Sequence, residues 1–304
     1  MAGSAASAAI VDETYRPRRQ AYRQQLAGRH GKLGLCRWGP PDDEPILLLH
    51  GWLDNAAAWQ LLADCLPDDW PLAALDWAGY GDSDSNPGGY WLPDYLADLE
   101  QVLEQLLPGR PARIIGHSLG GTVAAMYAGL RPQRLRWLVN IEGFGLPQLP
   151  PAELPARIVQ WLDSLRDTGA PKRYGSLEEP AAALRARNPH LPAAHARFLI
   201  EAWTRPVAGG YEMLADEAHR QRSPMRYTRE EMEACWTRIT APLLLIHAGD
   251  SGYLNRIGGE RALQRWRELV PALQVAAVDQ AGHMLHHEQP AQTAAHIRRF
   301  AADR

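Results

Sequence analysis

A serine stands between two glycines in the pentapeptide Gly-His-Ser-Leu-Gly at positions 116–120. Small residues at Gly116 and Gly120 are typical of a sharp turn from a strand into a helix, where a β-carbon would collide with the backbone. Unpaired N–H groups at the start of a helix favour the negative charge that develops on an attacked carbonyl oxygen. The pattern therefore predicts that Ser118 is a nucleophile and that the backbone N–H of Leu119 stabilises the oxyanion.

The same glycine-rich turn is also compatible with a phosphate-binding loop, which likewise joins a strand to a helix. A nucleotide-binding loop of that kind continues with a lysine, and no lysine follows Gly121. The chain has a second glycine pair, at Gly79 and Gly81, but it lacks the third glycine of a dinucleotide-binding turn. The sequence thus favours nucleophilic chemistry at Ser118.

A serine hydroxyl is a weak nucleophile near neutral pH and needs a neighbouring base. His283 follows Gly282 in a late loop of the chain, after an apolar run at 273–278, and is predicted to be that base. The close spacing of His283, His286 and His287 also suggests a metal cluster. No acidic group with ligand spacing accompanies them, so we expect no metal and interpret His286 and His287 as surface or cleft-lining residues.

A second oxyanion donor is predicted at His50-Gly51-Trp52, where an apolar run ends in a turn. The backbone N–H of Trp52 can face the same oxygen as that of Leu119 if the two turns meet. We interpret the side chains of His50 and His117 as structural groups that pack around these turns.

Short apolar runs that read as buried strands alternate with longer helical stretches, and this alternation predicts a mostly parallel sheet flanked by helices. The strands are predicted at 45–50, 72–76, 112–116, 137–141, 242–248 and 273–278. Helices are predicted at 56–66, 93–107, 119–130, 260–269 and 290–301. Between the fourth and fifth of these strands lies a segment rich in proline, alanine and arginine, with helical patterns but no convincing strand. The alanine-rich start is predicted to be a frayed tail.

With these motifs placed, the chain resembles the α/β-hydrolase superfamily, and within it the serine hydrolase-like proteins. The resemblance is carried by His-Gly-Trp-Leu-Asp-Asn at 50–55, by Asp76-x-x-Gly79-x-Gly81-x-Ser83, by the hexapeptide at 116–121 and by the stretch at 281–290. It implies an α/β-hydrolase core at 1–145 and 237–304, with a helical cap inserted at 146–236. It also implies that Asp76 shapes a loop and is not part of a catalytic triad.

The third triad member departs from the pattern that the resemblance implies. The superfamily usually carries an aspartate nine residues after a proline such as Pro242, and that position here is Ser251, with Asp250 one residue early. Glu142, after the preceding strand, matches members that carry the acid there. A carboxylate at a strand end is costly to bury without a partner, and orienting an imidazole would supply one. We favour Glu142 and keep Asp250 as the alternative.

Composition limits the classes of partner. The net charge of −3 is spread along the chain, so nucleic acid is not an expected ligand. Three scattered cysteines fit a reducing compartment and are too few for a disulfide framework. No apolar run is long enough to span a bilayer and the start does not read as a signal peptide, so we expect a cytoplasmic protein without membrane insertion.

These features predict a serine hydrolase of esterase type that acts on a small, apolar, ester-like substrate and uses no cofactor. A carbon–carbon bond hydrolase or a perhydrolase would use the same serine and histidine. A ligand-binding relative without catalysis is a third reading, and it is favoured if neither carboxylate reaches His283. The oligomeric state is left open.

Overall fold

The computed structural model describes residues 14–41, 43–166, 169–302 and 304. The frayed tail predicted for the alanine-rich start of the chain falls outside these residues. Among the described residues, no helix is both long and apolar enough to cross a membrane.

An eight-stranded sheet forms the centre of the molecule, in the order β1-β2-β4-β3-β5-β6-β10-β11. Its strands are β1 (Tyr22–Gly28), β2 (Gly31–Trp38), β3 (Ile46–Leu49), β4 (Leu72–Leu75), β5 (Ala112–His117), β6 (Leu135–Ile141), β10 (Leu243–Ala248) and β11 (Leu273–Val278). In this sheet order, all neighbouring strands from β4 to β11 pair in parallel. Strand β2 pairs antiparallel with both of its neighbours, β1 and β4. The mostly parallel sheet and its six predicted strands are confirmed. The hairpin of β1 and β2 was not among the predicted strands.

Helices cover both faces of the sheet, where two apolar cores lie. Those outside 146–236 are α1 (Gln60–Ala63), α2 (Leu92–Leu106), α3 (Leu119–Leu130), α8 (Gly252–Arg256), α9 (Glu260–Leu269), α10 (Leu285–Glu288) and α11 (Pro290–Ala301). Helix α3 lies very close to the sheet, because a β-carbon on Gly120 would stand only 2.1 Å from the carbonyl oxygen of Leu49. The slim face of α3 therefore fixes its distance from β3.

Residues 146–236, here called the cap segment, lie between β6 and β10. They form helices α4 (Leu154–Ser164), α5 (Glu178–Arg187), α6 (Ala193–Trp203) and α7 (Arg229–Trp236). Helices α5 and α6 share an apolar core with Ala58 and Leu61 of the sheet domain. They also form an antiparallel sheet of β7 (Arg173–Tyr174), β8 (Thr204–Val207) and β9 (Gly210–Met213). The expectation of no strand in this segment was wrong. A two-residue turn with Gly209 at φ 83° closes the β8–β9 hairpin. A glycine in such a short turn is a sequence feature that indicates a hairpin.

The cap segment contacts the loop that follows β3. The indole N–H of Trp203 donates to the Asp54 carboxylate at 2.7 Å, and the Asn55 amide donates to the carbonyl of Ala202 at 2.6 Å. These contacts hold the cap segment against the carboxyl end of the parallel strands. Ligands of open α/β sheets bind at this end.

Candidate active site

Ser118 lies between β5 and α3 in a backbone conformation that few residues adopt, with φ 50° and ψ −109°. Positive φ costs free energy in a residue with a β-carbon and persists where the surroundings enforce it. Here the enforcement is close packing, because a β-carbon on Gly116 would lie 2.7 Å from the backbone of Gly120. The predicted strand–turn–helix geometry is present, and it leaves the serine side chain only half-buried.

His283 is brought to Ser118 by the loop that follows β11. The hydroxyl of Ser118 lies 2.9 Å from Nε2 of the imidazole. A second contact fixes the backbone of the same loop, since Nε2 of His117 lies 2.8 Å from the carbonyl oxygen of His283. The ring of Tyr253 packs beside the imidazole with 5.3 Å between centroids. Sequence reasoning did not single out Tyr253, which carries no motif of its own.

Glu142 lies on the other side of the imidazole. Its Oε2 is 3.0 Å from Nδ1 of His283, and the carboxylate is fully buried. The backbone N–H of Ala248 donates to Oε1 at 2.8 Å and the hydroxyl of Ser251 donates to Oε2 at 2.6 Å. Glu142 also has positive φ, at 55°. The buried charge therefore has three donors, as a carboxylate away from water requires.

The alternative acid, Asp250, points away from this chain of hydrogen bonds. Its side chain is exposed and contacts Nε2 of His190 at 3.0 Å. The neighbouring Ser251 is instead buried and directed at Glu142. The two adjacent side chains face opposite sides of this loop, which explains why the one-residue offset matters. The structure thus brings together Ser118, His283 and Glu142 but not Asp250.

Ser251 is a site residue that sequence reasoning had noted only as a departure from the family pattern. It occupies the position where the superfamily usually carries its aspartate, so the position itself was a usable signal. Its hydroxyl serves twice, because it donates to Glu142 and accepts from the backbone N–H of Leu254 at 3.0 Å to cap α8.

The two predicted oxyanion donors both border the nucleophile. Leu119 is the first residue of α3, so its N–H has no acceptor within the helix. Trp52 follows Gly51, where an added β-carbon would stand 3.3 Å from the β-carbon of Ser118. The indole N–H of Trp52 donates to the carbonyl oxygen of His219 in the cap segment at 2.9 Å, which ties this turn to the cap.

The predicted structural roles of His50 and Asp76 match their contacts. The backbone N–H of Trp77 donates to Nε2 of His50, so the other ring nitrogen donates to the carbonyl of Gly51 at 2.7 Å. Burial lowers the pKa of His50 to about 4, which keeps this neutral form. The Asp76 carboxylate accepts from the backbone N–H groups of Ala56 and Asp82, and burial raises its pKa to about 6.

Behind the nucleophile lies a group of fully buried histidines. The interpretation of His286 and His287 as surface or cleft-lining residues was wrong, because both side chains are buried. Burial lowers the pKa of His286 to about 3 and holds those of His117 and His287 well below their usual range. The rings of His117 and His286 pack with 4.1 Å between centroids. These imidazoles are therefore neutral near pH 7.

In the part of the chain that the structure describes, the group of side chains placed closely enough to share a metal ion differs from the histidine cluster considered from the sequence. Single ligand atoms of Asp54, His117 and His286 lie within 4.8 Å of one another, and His283 is not among them. The second oxygen of Asp54 lies 3.7 Å from Nε2 of His286 and 3.5 Å from Nε2 of His287. None of these side chains is a member of the hydrogen-bonded chain from Ser118 through His283 to Glu142, although His117 contacts the carbonyl oxygen of His283.

Comparison with known proteins agrees with this fold. Residues 44–290 match the model of a family described as having the alpha/beta hydrolase fold. The chain belongs to this α/β-hydrolase family.

Within the family the chain resembles the serine hydrolase-like proteins. It is 30% identical over 263 residues to a serine hydrolase-like protein from Danio rerio, covering 79% of this chain and 78% of that protein. It is 28% identical over 255 residues to 2-(acetamidomethylene)succinate hydrolase from Mesorhizobium japonicum, covering 84% and 87%. Among solved structures, a hypothetical protein from Pseudomonas aeruginosa PAO1 aligns with a TM-score of 0.81 at 28% identity, covering 93% and 99%.

Proposed function

We propose that this protein is a serine hydrolase of esterase type, which cleaves an ester or related acyl bond of a small molecule through an acyl-enzyme on Ser118. The observation that carries the proposal is the continuous chain from Ser118 Oγ to His283 Nε2 at 2.9 Å and from His283 Nδ1 to Glu142 at 3.0 Å. A nucleophile, a base and an orienting acid need this order of contacts.

In the first step, His283 takes the hydroxyl proton as Ser118 attacks the substrate carbonyl. The buried Glu142 holds the imidazole with Nδ1 protonated, so Nε2 faces the hydroxyl, and it stabilises the imidazolium that forms. The backbone N–H groups of Leu119 and Trp52 bind the oxyanion. His283 then gives the proton to the leaving group.

In the second step, water attacks the acyl-enzyme. His283 removes a proton from that water, and collapse of the second oxyanion releases the acid and returns the proton to Ser118. Every proton in this cycle moves through groups of the chain itself, so the proposal implies no cofactor. A serine at the nucleophile position, where a carboxylate would be needed to form an alkyl-enzyme ester, favours acyl transfer.

The surroundings of the triad support a small-molecule substrate beneath a cap. The cap segment reaches the oxyanion turn through the contact of Trp52 with His219, and we propose that residues 146–236 roof the substrate pocket. A relative whose name gives a small-molecule substrate, 2-(acetamidomethylene)succinate hydrolase, supports the same class of ligand. The cysteines at 36, 65 and 235 are free thiols, which fits the proposed cytoplasmic site of action.

The test compares two matched substitutions, Glu142→Gln and Asp250→Asn, with p-nitrophenyl butanoate as substrate. Loss of the buried carboxylate is expected to lower kcat by a factor on the order of 10³ to 10⁴, because the imidazole loses its preferred tautomer and its charge partner. Asp250→Asn is expected to stay within about twofold of the parent enzyme. A large loss with Asp250→Asn and none with Glu142→Gln would overturn the assignment of the acid.

A further inference from the structure

A cavity of about 620 Å³ lies between the start of the cap segment and the oxyanion turn. Its volume is within the range of small-molecule sites. One part of its lining is apolar, with Trp52, Leu146 and Leu149. The other part carries four guanidinium groups and a single carboxylate, that of Glu153. The guanidinium groups belong to Arg157, Arg220, Arg222 and Arg226.

Three of these guanidinium groups lack an acidic partner. Arg220 is paired with Glu217 at 2.9 Å, but within the described parts of the chain no ion pair is formed by Arg157, Arg222 or Arg226. Nε of Arg157 is buried without a hydrogen-bond partner, and Arg226 contacts only a backbone carbonyl at 3.4 Å. Buried polar groups are normally satisfied, so the buried Nε of Arg157 leaves a donor that a ligand would satisfy.

The arginines also repel one another. Burial lowers the pKa of the Arg226 side chain, and the neighbouring guanidinium groups of Arg157 and Arg222 lower it further. The chain as a whole has a net charge of −3, so the concentration of positive charge here is a local feature. An anion placed among these groups would remove the repulsion and supply the missing acceptors, because guanidinium pairs with carboxylate or phosphate oxygens.

Two contacts connect this cavity with the triad. Trp52, a predicted oxyanion donor, lines it directly. On the other side, Leu146 follows Gly145, whose carbonyl accepts from the hydroxyl of Tyr253 at 2.5 Å, and the Tyr253 ring packs against His283. The apolar side of the cavity therefore lies next to residues that contact the site of Ser118 and His283.

We propose that this cavity binds an anionic end of the substrate, a carboxylate or a phosphate, with the guanidinium groups of Arg157, Arg222 and Arg226 as its partners. The inference rests on the proposed function and specifies its substrate class as an acyl compound that carries a negative charge away from the scissile bond. It differs in this charge from the small apolar substrate expected from the sequence.

The experiment uses substrate pairs that differ only in charge. On the acyl side, mono-p-nitrophenyl adipate is compared with p-nitrophenyl hexanoate, whose terminal methyl group takes the place of the carboxylate. On the leaving-group side, S-butanoyl-4'-phosphopantetheine is compared with S-butanoylpantetheine, which lacks only the phosphate. We expect kcat/KM to be at least about tenfold higher for the anionic member of one pair, as a charge-assisted hydrogen bond contributes. The pair that shows the preference identifies the source of the anion.

Substitutions locate the preference in the cavity. The ratio of kcat/KM between anionic and neutral substrates is expected to fall about tenfold in Arg157→Gln and in Arg226→Gln, and less in Arg226→Lys, which keeps the charge. Arg185→Gln, on the exposed face of α5, is the matched control and should leave the ratio unchanged. Thermal unfolding of each variant verifies that it is folded. Equal rates within both pairs, or a ratio that Arg157→Gln and Arg226→Gln do not change, would overturn the proposal.

A binding measurement tests the anion site independently of the proposed hydrolysis. In Ser118→Ala, calorimetry with monomethyl adipate and with methyl hexanoate measures affinity without turnover. Tighter binding of the anion by about tenfold, reduced by adding Arg226→Gln, supports the cavity even if no ester is hydrolysed. Hydrolysis of neutral esters without any anion preference in binding or rate retains the proposed function and rejects the anion site.

Discussion

At the scale of single residues, the carboxylate beside His283 does not stand at the position where the family usually carries its acid. Glu142 at the end of β6 supplies the carboxylate, whereas Ser251 stands after β10 where the family usually carries an aspartate. Both side chains nevertheless meet, with 2.6 Å between the serine hydroxyl and Oε2 of Glu142. An acid at either position would therefore reach nearly the same point beside His283.

Because the two positions overlap, we predict that a carboxylate at position 251 can replace that of Glu142. Glu142→Ala should lower kcat by a factor on the order of 10³ to 10⁴, and Ser251→Asp in the same chain should recover about 100-fold of it, because the new carboxylate replaces the missing partner of the imidazole. Aspartate is also a good N-cap residue and should keep α8 in place. Steady-state kinetics on p-nitrophenyl butanoate measures both steps.

The control for this rescue is Asp250→Glu in the Glu142→Ala background, which adds reach to a carboxylate that faces His190. It should recover nothing. A double variant with Ser251→Asp as inactive as Glu142→Ala alone would contradict the overlap of the two positions.

Sequence reasoning at this scale succeeded where the chemistry is local. The glycine spacing around Ser118 and the Gly282-His283 turn are contained in a few residues, so both could be located in the chain. The choice between Glu142 and Asp250 depends on which face of a loop each side chain occupies, and that is decided by contacts with distant residues such as Ala248. The buried positions of His286 and His287 depend on packing against other loops in the same way.

At the scale of elements, the close approach of α3 to β3 is what holds the nucleophile turn in position. Gly120→Ala should destabilise the protein by about 3 kcal/mol or more, since its β-carbon would lie 2.1 Å from the Leu49 carbonyl oxygen and neither backbone can easily move. Chemical denaturation measures this change in the free energy of unfolding.

Gly175→Ala is the matched control, because a β-carbon there would meet nothing within 4 Å. It should change the free energy of unfolding by less than about 0.5 kcal/mol. Equal stability of the Gly120→Ala and Gly175→Ala variants would show that the packing of α3 on β3 does not require a glycine at position 120.

The elements that could be predicted are those with a strong apolar signal. The parallel strands are buried on both faces and read as continuous apolar runs, as β3 does. Strand β1 was missed because it is an edge strand whose residues alternate between half-buried and exposed, with polar side chains such as Arg23 and Gln24. Strands β8 and β9 are four residues each and occur in a segment dominated by helical composition.

At the scale of the whole molecule, the buried histidines predict how stability depends on pH. The unfolded forms of His117, His286 and His287 bind a proton below about pH 6.5, whereas burial keeps the folded forms neutral to much lower pH. Unfolding therefore takes up protons, and this stability is present above pH 6.5 and is lost as the pH falls. Between pH 7 and pH 5 each histidine should contribute a loss of about 2 kcal/mol.

The contribution of His286 can be isolated by comparing the parent chain with His286→Gln. The loss of unfolding free energy between pH 7 and pH 5 should be about 2 kcal/mol smaller in the variant. Asp76, whose raised pKa has the opposite effect, is present in both chains and cancels. His30→Gln, at an exposed position, is the control and should behave like the parent. An unchanged pH dependence in His286→Gln would contradict a neutral buried imidazole.

The central claim is that Ser118 is a nucleophile activated by His283, and covalent trapping with a fluorophosphonate tests it most directly. Mass spectrometry of the intact protein and of its peptides should find one adduct per chain, on the peptide that contains Ser118. Ser118→Ala should abolish labelling, and His283→Ala should slow it by a factor on the order of 10³, because the hydroxyl loses its base. An adduct on another residue, or labelling that Ser118→Ala leaves intact, would contradict the account.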